Sequence, residues 1–140
     1  TIGVAVGARW PGLSVTMADV NRRACDLARE NARRNGVRAE VLESDGYMAL
    51  TGRRFATILQ NPPIRAGKAV IYRMFADGAA SLLPGGRLWL VIRKQQGAPS
   101  AMNYLATLFD EVAVVEKKSG YWVLRCAAPL EAAGEDTKDV

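Results

Sequence analysis

The sequence contains no histidine, which removes the commonest general base and the commonest metal ligand from whatever chemistry it performs. Its two cysteines, Cys25 and Cys126, lie far apart with no CxxC or Cys/His spacing. Neither a zinc site nor a disulfide framework is indicated, and both read as small buried apolar residues. No apolar run reaches the roughly 20 residues of a membrane helix, and no basic-then-apolar leader precedes the first strand. A soluble, cytoplasmic protein without bound metal or membrane contact is expected. Internal repeats and interior linkers are absent as well.

What is present suits one core. At 140 residues, 49% of them hydrophobic, the chain is long enough for a single domain. Residues 1–127 are expected to form it. Residues 128–140 have Ala, Gly, Pro and acidic residues without apolar period, and are expected to be a disordered acidic tail. The net charge is +5. The tail carries Glu131, Glu135, Asp136 and Asp139 against Lys138, a net −3, which leaves +8 on the residues before it. That excess suits a polyanionic partner through phosphate neutralisation, and equally an ordinary solubilising surface.

Strand-like runs fall at Ser14–Ala18, Ala39–Glu43, Phe55–Leu59, Arg87–Ile92, Val112–Glu116 and Tyr121–Ala127. Between them, Arg22–Asn35 reads as a helix with Asn21 as N-cap and Asn35-Gly36 as its end, its inner face formed by Ala24, Leu27, Ala28 and Asn31. Its outer face carries Arg22, Arg23, Arg29, Arg33 and Arg34. Further helices are predicted over Lys68–Leu83, stopped by Pro84-Gly85-Gly86, and over Ser100–Phe109 after Pro99. Thr1 to Ala8 reads as the remainder of a helix that begins further upstream. Alternating strands and helices indicate an open, mostly parallel sheet covered on both faces. Lys117-Lys118-Ser119-Gly120 is too short for a parallel crossover, so the last two strands must form an antiparallel hairpin. The fold class is therefore α/β, a doubly wound sheet with an antiparallel C-terminal edge.

In such sheets ligands bind beyond the carboxyl ends of the strands. Three successive strand ends carry distinctive polar residues: "MADVN" places Asp19 where it can accept hydrogen bonds from ribose hydroxyls, "LESDGY" places Asp45 beside the permissive Gly46, and "QNPPIRAGK" holds the Asn61 amide before two prolines. Taken singly, an Asp at a strand end is more often a turn residue or a cap. "RAGKA" departs from a phosphate loop, with Pro62 for the upstream Gly and Ala69 for the Ser/Thr, and no GxGxxG precedes Asp19 as a dehydrogenase requires. Transfer chemistry promoted by a rigid amide remains. Methyl transfer from a sulfonium to a planar exocyclic amine fits, if the Asn61 side-chain carbonyl and the Pro62 backbone carbonyl each accept one N–H and so aim the lone pair.

These stretches resemble the class I methyltransferases that use S-adenosylmethionine, in the small-domain group that includes ribosomal RNA guanine-N2 methyltransferases. "VTMADVNRRACDLARENARRNGV", "SDGY" and "NPPIRAGK" are similar to that group's motifs, and "LPGGRLWLVIRKQQGAPSAMNYL" and "VVEKKSGYWVLRC" to its bacterial YbxB-like branch. The resemblance covers residues 1–127 and implies a Rossmann-like methyltransferase fold. It also implies ribose contact by Asp19 with neighbouring Val20 and Asn21, adenine contact by Asp45 and Gly46, and amine positioning by Asn61 with Pro62, Pro63 and Ile64, Asn61 also bordering the cofactor. The implied substrate is a guanine amine of 16S ribosomal RNA, flipped from its stack, with Arg65, Lys68, Arg93 and Lys94 near its phosphates. A glutamine amide in a protein and a non-catalytic RNA-binding role are the alternatives.

Two departures stand out. Ile64 occupies the place where many relatives stack Phe or Tyr on the target. The group's first strand and Gly-rich cofactor loop would precede Thr1, and that strand would lie between the strands ending at Asp19 and Asn61. The chain by itself is therefore expected to bind S-adenosylmethionine poorly.

Overall fold

A computed structural model describes residues 2–12, 14–62 and 67–130. They form α1 (Ile2–Arg9), β1 (Val15–Asp19), α2 (Arg22–Arg34), β2 (Ala39–Glu43), β3 (Phe55–Gln60), α3 (Lys68–Ala80), β4 (Leu82–Arg93), α4 (Ala98–Leu105), β5 (Phe109–Lys118) and β6 (Tyr121–Pro129). The single domain expected over 1–127 is built as two compact units, residues 1–51 and 52–140, because the strands divide into two sheets, β1-β2 and β3-β4-β6-β5. Among the described residues no helix is long and apolar enough to cross a membrane.

In the first unit β1 and β2 run parallel, from Val15 opposite Ala39 to Asp19 opposite Glu43. Helix α2 starts where expected: Asn21 is extended (φ −86°, ψ 116°) and its Oδ1 accepts from the Ala24 N–H at 3.1 Å, filling one of the donors a helix start leaves open. Its inner face differs from the expected one. Cys25, Ala28 and Ala32 are buried while Leu27 is exposed. The small residues rather than Leu27 face the strands, and the Cys25 thiol donates to the carbonyls of Asp19 (3.4 Å) and Leu42 (3.5 Å). Helix α1 lies equally close to the first unit's strands and loops: a Cβ on Gly7 would come within 2.4 Å of Val37 Cγ1.

The second unit has the larger core. Strands β3 and β4 are parallel, β4 and β6 antiparallel, and β5 and β6 antiparallel, so the expected hairpin forms, with β6 inside the sheet and β5 at its edge. Ile71 and Phe75 of α3 and Ala98, Ala101 and Leu105 of α4 pack with Leu88, Leu90 and Ile92 of β4 and Leu124 and Cys126 of β6. Burying a side chain the size of Phe75 or Phe109 contributes about 1.5–3 kcal/mol. Burial also pushes the Cys126 thiol up to about 12, which leaves it protonated and inert.

Helix α3 ends at Ala80, not at Leu83, and β4 begins at Leu82, not Arg87. The Ser81 carbonyl accepts from the Phe55 N–H at 2.7 Å, and Leu82, 3% exposed, pairs with Phe55. Burying Leu82 on the sheet therefore wins over extending the helix. Pro84-Gly85-Gly86 do not stop the helix; they form an irregularity in β4 between the pairs Phe55–Leu82 and Thr57–Arg87. Helix α4 starts and ends earlier than predicted, after Gly97 (φ 103°) and with Pro99 in its first turn, where a missing N–H costs nothing. Phe109, expected in that helix, opens β5 and is buried. At the C-terminus β6 takes in Ala128 and Pro129, the first residues of the expected tail; 131–140 lie outside the described residues.

Candidate functional site

The carboxyl ends of β1 and β2 bring Asp19, Asp45 and Gly46 together. Asp19 closes β1, and its carbonyl accepts from the Ser44 N–H at 2.8 Å, which joins the two strand ends. Asp19 Oδ1 accepts from the Asn21 N–H at 2.8 Å, the local turn that short acidic side chains favour. Its other oxygen has no hydrogen-bond partner among the described residues, and Asp19 is exposed. Asn21 is committed through Oδ1 to the helix cap, and Val20 is 67% exposed.

Ser44 is the residue that sequence reasoning missed. It is 6% exposed; its hydroxyl donates to the Gly46 carbonyl at 2.8 Å and accepts from the Ala49 N–H at 3.0 Å. A buried hydroxyl with both functions satisfied fixes the turn that carries Asp45 outward and Gly46 into φ 59°. Only its position directly before the candidate pair Asp45-Gly46, in "ESDG", signalled it.

A depression of about 710 Å³ in the same unit is lined by Pro11, Val15, Arg29, Arg33, Arg38 and Glu40 among others. It sits at the amino ends of β1 and β2, where the ladder begins with Val15 and Ala39, and so at the end remote from Asp19 and Asp45. Arg29 and Arg33 there are already engaged with Asp26 and Glu30.

In the second unit Asn61 follows the last residue of β3. Gln60 before it is 8% exposed and its Nε2 donates to the Met74 carbonyl of α3 at 3.1 Å; Pro62 after it is buried. The exposed Asn61 is thus held between two anchored neighbours. Its amide has no hydrogen-bond partner among the described residues. Pro63, Ile64, Arg65 and Ala66 lie outside those residues. Gly67 (φ 90°, ψ 160°) enters α3, and the Lys68 ammonium lies 5.8 Å from the Tyr72 ring, itself stacked on Tyr104 at 4.3 Å. Gln60 pairs with Leu90, so the parallel neighbour β4 ends on the same side of the sheet, with Arg93 and Lys94 exposed there. Among the described residues no three Cys, Asp or Glu side chains are grouped to hold a metal.

Each unit therefore presents hydrogen-bonding groups free for a ligand at the carboxyl ends of parallel strands: carboxylate acceptors in the first, an amide in the second. The chain is 44% identical over 126 residues to the Bacillus subtilis (strain 168) protein YbxB, covering 89% of this chain and 63% of that one. It is 32% identical over 138 residues to a ribosomal RNA large subunit methyltransferase G of Alcanivorax borkumensis, covering 94% and 34%. Among solved structures it matches the T. thermophilus 16S rRNA N2 guanine methyltransferase in complex with AdoMet and guanosine, at 27% identity and a TM-score of 0.73, covering 84% of this chain and 32% of that one. The chain spans less than two thirds of the length of each of these proteins. The fold class is shown by that likeness: a Rossmann-like methyltransferase α/β fold with an antiparallel C-terminal hairpin. The family model for the methyltransferase small domain matches residues 1–125, and the chain belongs to that family.

Proposed function

We propose that the protein is an S-adenosylmethionine-dependent N-methyltransferase that modifies the exocyclic N2 amine of a guanine in 16S ribosomal RNA. The observation that carries this reading is the Asn61 amide, exposed and unpartnered among the described residues, between the buried Gln60 and Pro62. The residues present fit the cofactor's polar groups. The free oxygen of Asp19 and the carboxylate of Asp45 are acceptors matched to ribose hydroxyls and an adenine amine, and Gly46 at φ 59° has no Cβ to obstruct approach. Val20 offers an exposed apolar side chain beside Asp19.

When bound, S-adenosylmethionine would supply an electrophilic methyl on a sulfonium, the sulfur keeping the electron pair of the broken C–S bond and leaving as a neutral thioether. The Asn61 Oδ1 and the Pro62 carbonyl each accept one N–H of the guanine amine. This draws the nitrogen's lone pair out of conjugation and orients it, and the proton released after transfer leaves to water. Rate is gained by orientation and fixed dipoles, so no histidine is needed. The target is reached only once out of its stack. Relatives whose names specify small- and large-subunit ribosomal RNA support the substrate class, as does the +8 on residues 1–127.

Mass spectrometry of ribosomal RNA nucleosides from cells with and without the gene tests the proposal. Loss of one N2-methylguanosine from 16S RNA on deletion, restored by the intact gene, is expected. An unchanged RNA profile with a methylated glutamine lost from a protein would replace the RNA substrate by an amide.

A further inference from the structure

The β5–β6 hairpin gathers Lys117 and Lys118 beside Arg93 and Lys94 at the end of β4, cations that take no part in the methyl transfer itself. Register puts Arg93 opposite Tyr121 and Tyr121 opposite Lys118 in one rung; Ile92, Trp122 and Lys117 form the next. Successive rungs face opposite sides of the sheet, so the tip is positive on both faces. The turn is only Ser119-Gly120, both at positive φ (52° and 79°), the two-residue geometry that matches strand twist. Lys94 is tied to it, its N–H donating to the Gly120 carbonyl at 2.9 Å.

The charges are held without being neutralised. The Arg93 guanidinium lies 4.8 Å from the Tyr121 ring centre and its Nε donates to the Tyr121 hydroxyl at 2.9 Å; the Lys117 ammonium lies 4.4 Å from the Trp122 ring. Among the described residues none of Arg93, Lys94, Lys117 and Lys118 forms an ion pair, whereas on α2 Arg29 pairs with Asp26, and Arg33 and Arg34 with Glu30. The next carboxylate along the ladder, Glu116, lies opposite Val123 and leaves four cations against one anion.

We propose that this hairpin tip is the surface on which the protein docks a single-stranded segment of its RNA substrate. Arg93 and Lys118 stand two strands apart, about 10 Å at the usual strand spacing, which suits a chain of phosphates and exceeds a single anion. The outer face of the Arg93 guanidinium plane, backed by Tyr121, is a stacking surface for an unpaired base. Lysines that merely guard an exposed edge would account for β5, but Arg93 and Lys94 end or follow β4, which is interior to the sheet. The inference rests on the RNA reading above and adds the surface through which that substrate is held.

The test uses the full-length protein and a fluorescein-labelled single-stranded RNA, with affinity read by anisotropy across a salt series and S-adenosylmethionine affinity by calorimetry. Each phosphate contact on a single strand adds about 0.7 to the slope of log affinity against log salt, about 5-fold in affinity at about 0.1 M salt. Lys117→Gln with Lys118→Gln is expected to weaken RNA binding about 25-fold and to flatten the slope by about 1.4, with cofactor affinity unchanged. Lys117→Arg with Lys118→Arg should retain wild-type RNA affinity. If the glutamine variant binds with wild-type affinity and slope, the tip is not the docking surface, and the methyltransferase reading stands. Equal weakening by the arginine pair would reduce the tip to a structural role. If wild-type protein binds RNA without salt dependence, or not at all, both the tip and the RNA substrate fall.

Discussion

Asn61 shows at the scale of one residue how a sequence can hold a residue's backbone in place without covering its side chain. Gln60 is drawn inward to the Met74 carbonyl, Pro62 is buried, and the amide between them stays exposed. The proline made the confinement legible, because the residue before it is restricted to extended backbone; the Gln60 anchor was not, since it depends on a helix carbonyl 14 residues away. Ser44 was hidden for a similar reason: a serine's worth depends on which backbone groups it meets, and only the fold brings Gly46 and Ala49 to its hydroxyl. If Asn61 orients the amine in the transition state, Asn61→Ala in the full-length enzyme should slow turnover about 10²-fold or more. Cofactor affinity should change far less than turnover, because Asn61 only borders the cofactor while Asp19 and Asp45, the acceptors for its ribose and adenine, are untouched. Single-turnover kinetics with calorimetry separates the two effects, and near-normal turnover would remove Asn61 from the mechanism.

Elements were legible where local chemistry and packing agree, and misread where burial overrides local signals. Helix α2 begins at its Asn21 cap as the sequence predicts, yet its inner face is rotated from Leu27 to Cys25, Ala28 and Ala32. Size explains this, since three small residues let the helix lie on β1 and β2 close enough for the Cys25 thiol to reach two carbonyls. Pro84-Gly85-Gly86 reads as a helix stop but is an irregularity between β3 and β4. Gly86 shows why that segment needs glycine: a Cβ there would sit 2.9 Å from the carbonyl oxygens of both Ala56 and Leu83. Both are backbone atoms, so no side chain can move aside. Gly86→Ala is expected to destabilise the protein by about 1–3 kcal/mol through overpacking. Gly85→Ala, at φ 78° but facing open space, should cost only the strain of a left-handed residue, about 1 kcal/mol. Urea unfolding of the two variants gives the comparison, and a Gly86→Ala protein as stable as wild type would mean that β3 and β4 separate more easily than the register implies.

At the scale of the whole molecule, the alternation of strands and helices was legible because it depends on short-range periodicity, whereas the division into two sheets depends on which strands pair. The two units differ in how they are held. The second unit buries twelve residues in one cluster, including Phe75, Phe109, Leu88, Leu90, Leu105 and Leu124, beneath a four-stranded sheet. The first has a two-stranded sheet whose buried cluster is Cys25, Ala28 and Val41. Two strands with a small apolar face are marginal, and three or more with a buried face are the usual requirement for independent stability. Local opening should follow that difference, because amides exchange at the free energy of the smallest unfolding that exposes them. Native-state hydrogen exchange on this 140-residue chain should find the β4 and β6 amides around Leu90 and Leu124 most protected, exchanging only with global unfolding. The β1 and β2 amides around Met17 and Val41 should open at lower free energy, by several kcal/mol if the unit cores set the scale. Equal protection in both ladders would show that the units unfold as one cooperative body, and that the small cluster in residues 1–51 draws its stability from more than its own core.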